Sequence, residues 1–266
     1  MSTTQSRLPL TLIVAASPTN GIGASGSLPW RLPREMAYFK HLTSHTNEGE
    51  GSSKNAVLMG RNTWESIPRR FRPLGGRVNV VISRSASAEE LGIDPAQDTH
   101  LFPNPSAALA YLQTRQTTHA PTPLSRIFLI GGAQLYAQAL QEQQQQRQQG
   151  EEGDGQAASW NLDRLLVTRI LKPAYEQCDV FLSEFRTAEQ QQQQQQQDAS
   201  PPDESSLPKE GGAQQPLSQK EWTQASPDEL EAFIGGQAVP GLDSIRGVQE
   251  EKGTKYEFQM WTRVRQ

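Results

Sequence analysis

The chain has 266 residues, a net charge of −4 and a pI near 5.7, which argues against a general nucleic-acid surface while leaving room for a local basic pocket. Its lone cysteine, Cys178, excludes an intramolecular disulfide framework and fits a reducing compartment. No apolar run approaches membrane-spanning length, and Met1 to Leu10 lacks the apolar core and basic flank of a secretory signal, so a soluble cytoplasmic protein is expected. The mean hydropathy of −0.66 describes glutamine-rich, proline-rich and acidic tracts more than the part that folds.

Leu10 to Ala16 reads as a first buried strand. A loop follows with three glycines, Gly21, Gly23 and Gly26, which open backbone conformations closed to other residues. Then the chain stiffens at Leu28-Pro29-Trp30, and Pro33 suits the first turn of a helix from about Arg34 to Leu42. Glu35 and Phe39, four apart, share one helical face, which sets a carboxylate over apolar surface where it calls for a ligand with paired N–H groups. The same spacing also fits an acid that faces water and favours the helix N-terminus.

Thr43 to Lys54 is polar and reads as an exposed connection, and none of His41, His45, His100 or His119 has an acidic or cysteine partner at a ligand spacing, so no metal site is expected. Ala56 to Met59 is a short buried strand running into Gly60-Arg61-Asn62-Thr63, a strand, glycine, helix-start arrangement that offers backbone N–H groups to an anion. Taken by itself it reads first as an ordinary capped turn with a solvated arginine. A turn through Leu74, Gly75 and Gly76 leads from Arg72 to Arg77 and into the strand Val78 to Ile82, which ends at Ser83-Arg84.

Next come a possible strand at His100 to Phe102, a helix capped by Asn104 through about Gln113, and a loop from Thr114 to Pro123. Ile127 to Ile130 is an uninterrupted apolar strand that runs into Gly131-Gly132-Ala133-Gln134-Leu135-Tyr136, where a glycine pair removes both side chains beside a passing backbone. Polar tracts follow at 141–159 and, after the strand Leu162 to Ile170 and a short closing stretch Cys178 to Phe181, at 186–219, the latter holding the glutamine run Gln190 to Gln197. They read as disordered insertions. Trp222 to Gln224 starts a penultimate strand, 226–247 reads as a third insertion, and Tyr256 to Val264, with Tyr256, Phe258 and Met260 alternating, is a half-covered antiparallel strand.

Five segments occurring in a single order resemble the dihydrofolate reductases, in their eukaryotic, fungal-type form. They are Gly21-Ile22-Gly23 with Leu28-Pro29-Trp30-Arg31-Leu32-Pro33 and Glu35; Gly60 to Ile67; Gly131 to Tyr136; Val167-Thr168-Arg169-Ile170; and Glu250-Glu251-Lys252-Gly253 with Lys255, Tyr256 and Phe258. The resemblance implies a single α/β domain over 8–266, with a twisted, mainly parallel eight-stranded sheet, an antiparallel C-terminal strand and helices on both faces. It implies NADPH-dependent reduction of 7,8-dihydrofolate to 5,6,7,8-tetrahydrofolate, by hydride transfer to pterin C6 with protonation at N5, in one-carbon metabolism.

By the same resemblance Glu35, Trp30, Leu28 and Thr168 carry the catalysis, Thr168 bonding the acid and Trp30 holding it through a bridging water. Val14, Ala15, Glu35, Met36, Phe39, Ile67, Leu74, Arg77, Ile130 and Tyr136 would contact substrate, with Arg77 on the α-carboxylate of the glutamate tail. Ala15, Ile22, Gly23, Gly26, Ser27, Gly60, Arg61, Asn62, Thr63, Ser83, Arg84, Gly131, Gly132, Ala133, Gln134 and Leu135 would contact NADPH, Ser83 and Arg84 at its 2′-phosphate and Gly131-Gly132 through a cis peptide. Antifolates such as methotrexate are expected to bind, no membrane or nucleic acid is required, and a monomer is the default for this kind of fold. Two other readings stay open: a reductase of another pteridine or pyrimidine, as in riboflavin-pathway relatives, and a non-catalytic NADPH-binding protein acting through its glutamine-rich insertions.

Overall fold

A computed structural model describes residues 7–46, 53–117, 122–148, 160–198 and 221–264. In chain order the elements are β1 Leu8–Ala16, β2 Gly21–Gly23, α1 Pro33–Ser44, β3 Lys54–Gly60, α2 Arg61–Ser66, β4 Arg77–Ile82, α3 Ala88–Leu91, β5 Thr99–Phe102 and α4 Pro105–Thr117. They continue with β6 Leu124–Gly131, α5 Ala133–Gln148, β7 Trp160–Lys172, β8 Val180–Phe181, α6 Ala188–Asp198, β9 Trp222–Gln224, α7 Pro227–Ile234, β10 Gln249–Glu251 and β11 Thr254–Arg263.

One sheet runs in the order β10-β11-β7-β1-β6-β3-β4-β5. The six strands from β7 to β5 are parallel, and β11 turns antiparallel against β7. Beyond it, β10 and β9 pair with opposite ends of its outer edge. The sheet has nine strands among the described residues, one more than expected, because β9 and β10 are three-residue pieces sharing a single edge. A separate pair, β2 with β8, ties the glycine loop to the stretch after β7.

Alternation along the parallel strands builds a core on each face. Leu8, Leu10, Leu12, Val14 and Ala16 of β1 join one cluster with residues of α4 and α5, whereas Ile13 joins the other with Tyr38 and Leu42 of α1. Both faces are thereby shielded, as a parallel sheet requires.

Helical structure lies within all three of the stretches that read as disordered insertions. The 226–247 piece contains α7, begun by a capping box between Ser226 and Glu229, and buries Leu230, Ile234, Val239 and Leu242 in the α1-side core. Each such burial stabilises by roughly 1.5–3 kcal/mol. Helix α5 runs past Gln141, where Gln143, fully buried, accepts the Leu162 N–H at 2.8 Å, and α6 covers the glutamine run. The remainder of the expected insertions at 141–159 and 186–219, with parts of the Thr43 to Lys54 and Thr114 to Pro123 connections, lies outside the described residues.

Candidate active site

Helix α1 sets the acid in place. Leu32 at its N-cap has no side-chain oxygen, so a second chain segment supplies the cap: both carboxylate oxygens of Glu251 in β10 accept the Arg34 N–H, at 3.1 and 3.3 Å. The Arg34 guanidinium bonds the Glu250 carbonyl beside it. One residue on, Glu35 is only 6% exposed, and Thr168 Oγ1 donates to its Oε1 at 3.1 Å from β7. Burial pushes the Glu35 carboxyl up to about 7, Thr168 opposes the rise, and the Glu251 charge adds to it. Nothing cationic offsets that burial among the described residues, so a ligand bringing N–H donors would complete the site.

Apolar side chains edge the core on the α1 side. Ala15, Phe39, Ile67, Leu74 and Ile130 are partly exposed side chains packed on the α1-side core, and Leu28 and Met36 are each 48% exposed. Large apolar side chains exposed beside a buried carboxylate suit a flat ligand with a polar edge. Sheet register brings Ala15 level with Thr168, so a cleft wall and the acid's partner are neighbours. Trp30 is buried, edge-on to Tyr175 at 5.2 Å, and its indole Nε1 finds no acceptor among the described residues. Tyr38 stacks on Phe258 behind the acid.

Two predicted substrate contacts are placed differently. Tyr136 is 3% exposed in the core of the opposite face, and its hydroxyl donates to the Ile13 carbonyl at 2.7 Å. Val14 lies in that same core by strand alternation, leaving its backbone rather than its side chain for the cleft. Arg77, at the start of β4, is buried, with Nη1 donating to Thr43 Oγ1 at 2.7 Å and Nε to the Gly75 carbonyl at 3.1 Å. Burial lowers it to about 10, and no carboxylate pairs with it among the described residues.

The second group of candidates gathers at the carboxyl ends of the adjacent strands β6, β3 and β4, where ligands bind in open α/β sheets. Gly60 is the N-cap of α2 with no side-chain cap, and Arg61, Asn62 and Ser83-Arg84 stand at the same ends, Arg61 loosely paired with Glu65 at 3.7 Å on the surface. Gly131 and Gly132 are joined by a cis peptide, as expected. A Cβ at Gly131 would come within 2.6 Å of Thr63 Oγ1, so its absence lets the two segments meet. Ala133, Gln134 and Leu135 begin α5 directly behind them. These features form a cradle of bare backbone flanked by cations, which fits a dinucleotide carrying phosphates.

The glycine loop that would lie above both groups carries Ile22, Gly23, Gly26 and Ser27. It is fastened at two points: Asp179 donates its N–H to the Gly23 carbonyl at 3.0 Å and accepts from Ser25 N–H at 2.9 Å. A Cβ at Gly21 would meet Cys178 at 2.5 Å, so only glycine fits that crossing.

The sequence does not single out Glu251 as the cap of α1 or Asp179 as the fastening of the glycine loop. One signal was available for the first: a helix entered through Leu32-Pro33 has no acceptor of its own and must borrow one. No three residues among His, Cys, Asp and Glu are grouped to hold a metal, and no helix is long and apolar enough to cross a membrane, among the described residues.

The family model described as dihydrofolate reductase matches residues 9–148. The dihydrofolate reductase of Cryptococcus neoformans is 37% identical over 256 residues, covering 95% of this chain and 93% of that protein. That of Pneumocystis carinii is 36% identical over 256 residues and covers 96% of each chain. The Saccharomyces cerevisiae dihydrofolate reductase is 43% identical over 133 residues, half of this chain and 60% of its own.

Proposed function

The chain belongs to the dihydrofolate reductase family, in its fungal form, and as an oxidoreductase reduces 7,8-dihydrofolate to 5,6,7,8-tetrahydrofolate; on that premise we propose which of its residues do the work, with NADPH as the reductant. The observation that carries the assignment is Glu35, a buried carboxyl with Thr168 on one oxygen.

Glu35 accepts two hydrogen bonds from the amino and ring N–H groups along one edge of the pterin, which fixes the ring's orientation. Thr168 keeps the carboxylate aimed, and Trp30 Nε1, otherwise unpartnered, holds a water against it. Phe39, Met36, Ala15 and Ile130 cover the ring, Ile67 and Leu74 flank the benzoyl group, and Arg77 takes the α-carboxylate of the tail. Val14 contributes backbone, and Tyr136 supports β1 from behind.

NADPH fits the glycine cradle, where Gly60 to Thr63 and Gly131 to Leu135 would hold it, Arg61 the phosphates and Ser83 with Arg84 the 2′-phosphate. When bound it supplies the hydride delivered to pterin C6. Water entering beside half-exposed Leu28 brings the proton to N5, since Glu35 sits on the far edge of the ring. The loop bearing Ile22, Gly23, Gly26 and Ser27 closes over the cofactor and keeps bulk water out.

We also read residues 8–266 as one domain, acting as a cytoplasmic monomer and open to antifolates such as methotrexate. Following cofactor absorbance with NADPH and dihydrofolate, with other pterins as controls, tests the substrate, and Glu35→Gln tests the acid. The amide keeps one acceptor but puts a donor beside it, so NADPH binding is retained while turnover drops by about two orders of magnitude or more. Unchanged turnover in Glu35→Gln would remove the acid from the mechanism.

A further inference from the structure

The reductase chemistry leaves the glutamine run unused, yet the folded part of that run is built into the molecule. In α6 three glutamines on one helical face grip the chain just before it. Gln190 accepts the Thr187 N–H through Oε1 and donates from Nε2 to the Trp222 carbonyl, both at 2.8 Å. Gln191 Nε2 donates to the Arg186 carbonyl at 3.2 Å, and Gln194 Oε1 accepts from Arg186 Nη1 at 2.5 Å. Gln192 and Gln193, between them, are exposed.

Arg186 passes the contact on. Its side chain is 5% exposed, and its Nε and Nη2 each donate to Glu184 at 2.8 Å, with Nη2 also reaching Asn20 Oδ1 at 3.3 Å. Asn20 donates in turn to Glu184 Oε2 at 2.9 Å and accepts from Arg169 Nη1 at 2.9 Å. Its φ of 63° places it in the left-handed region at the point where the glycine loop begins. Asparagine tolerates that region, and here its side chain is held by Glu184, Arg169 and Arg186.

We propose that the glutamine helix braces the loop over the cofactor: Gln191 and Gln194 fix Arg186, Gln190 fixes Thr187 beside it, and Arg186 with Glu184 fixes Asn20, so that the loop is held in its cofactor-binding position. These are positioning residues, and the inference rests on the reading that the glycine loop covers NADPH.

The test compares two full-length variants, the inner-face triple Gln190→Ala, Gln191→Ala, Gln194→Ala and the outer-face double Gln192→Ala, Gln193→Ala. A loosened loop spends less time in the binding-competent position, so in the triple variant KM for NADPH rises about three- to tenfold while kcat and KM for dihydrofolate stay within about twofold. The double variant matches the parent. Gln194→Ala alone shows part of the rise, and Gln194→Glu, which keeps an acceptor for Arg186, shows none. A triple variant that melts earlier with KM for NADPH unchanged overturns the proposal, because the helix would then serve stability alone. Ile22→Ala separates the two layers of inference. If it raises KM for NADPH and the triple does not, only the brace fails; if neither moves it, the loop's role over the cofactor fails as well.

Discussion

Thr168 Oγ1 donates to Glu35 Oε1 at 3.1 Å across a sequence separation of 133, joining the strand next to β1 with the first turn of α1. The bond is the one influence pulling the Glu35 carboxyl down while burial and Glu251 push it up. Thr168→Val keeps the shape and removes the donor. A hydrogen bond to a charged group is worth roughly 1.5–3 kcal/mol, so the carboxyl should climb by a further one to two pH units or so. The expected result is a pH profile for dihydrofolate turnover whose midpoint moves to higher pH; a midpoint that stays put or falls removes Thr168 from this role.

The buried acid also sets how stability varies with pH. Glu35 has a folded value of about 7 against an ordinary 4.5, so between those limits the native state keeps a proton that the unfolded chain has lost. Stability therefore falls as pH rises through that window, and the loss is complete above it, amounting to about 3 kcal/mol. Glu35→Gln lacks the titration. In urea unfolding without ligands it should gain about 3 kcal/mol on the parent at pH 8 relative to the difference at pH 4.5. Equal differences at both values would mean that Glu35 ionises as it does in water.

Gly131 carries a φ of 139°, and a Cβ there would lie 2.6 Å from Thr63 Oγ1. Gly131→Ala combines a disfavoured backbone with a collision and should cost at least about 2 kcal/mol of stability. NADPH affinity should fall with it. Adding Thr63→Ala relieves the collision but not the backbone, so the double variant recovers part of the stability in chemical denaturation. No recovery would place the damage elsewhere.

Arg77 is a buried guanidinium without an acidic partner among the described residues. Arg77→Leu should raise KM for dihydrofolate by about one to two orders of magnitude, the worth of a charge-assisted hydrogen bond, with kcat little changed. A pterin substrate lacking the glutamate tail should not distinguish the two proteins. If it does, Arg77 acts on the pterin end or on the fold.

Leu230 of α7 is 3% exposed in the α1-side core, inside a segment that reads as an insertion. Leu230→Ala should destabilise by about 2–5 kcal/mol, measured as a shifted urea midpoint at constant slope. A midpoint that does not move would make 226–247 an ornament on an independent core.

Much of the molecule was legible from local pattern. The parallel strands announce themselves as apolar runs, and the motifs around Glu35, Gly60 and Gly131 each sit where a strand or loop gives way to a helix, so their spacing is fixed by one turn of backbone. Ser83 and Arg84 follow from register, because β4 pairs in step with β3. Less legible was 226–247, which reads as an insertion, yet α7 needs only Leu230 and Ile234 on one face to dock.

By itself the sequence determined the strands, the helix that carries Glu35 and the glycines at the cradle, because these depend on near neighbours: backbone freedom, apolar alternation and helical spacing. Only the tertiary structure decided that Glu251 caps α1 from 217 positions away, that Tyr136 turns from the cleft to Ile13, and that a glutamine helix reaches Asn20 through Arg186. Those contacts join side chains far apart in the chain, and a polar group's partner there is whichever group the packed sheet brings within reach, which no local spacing encodes.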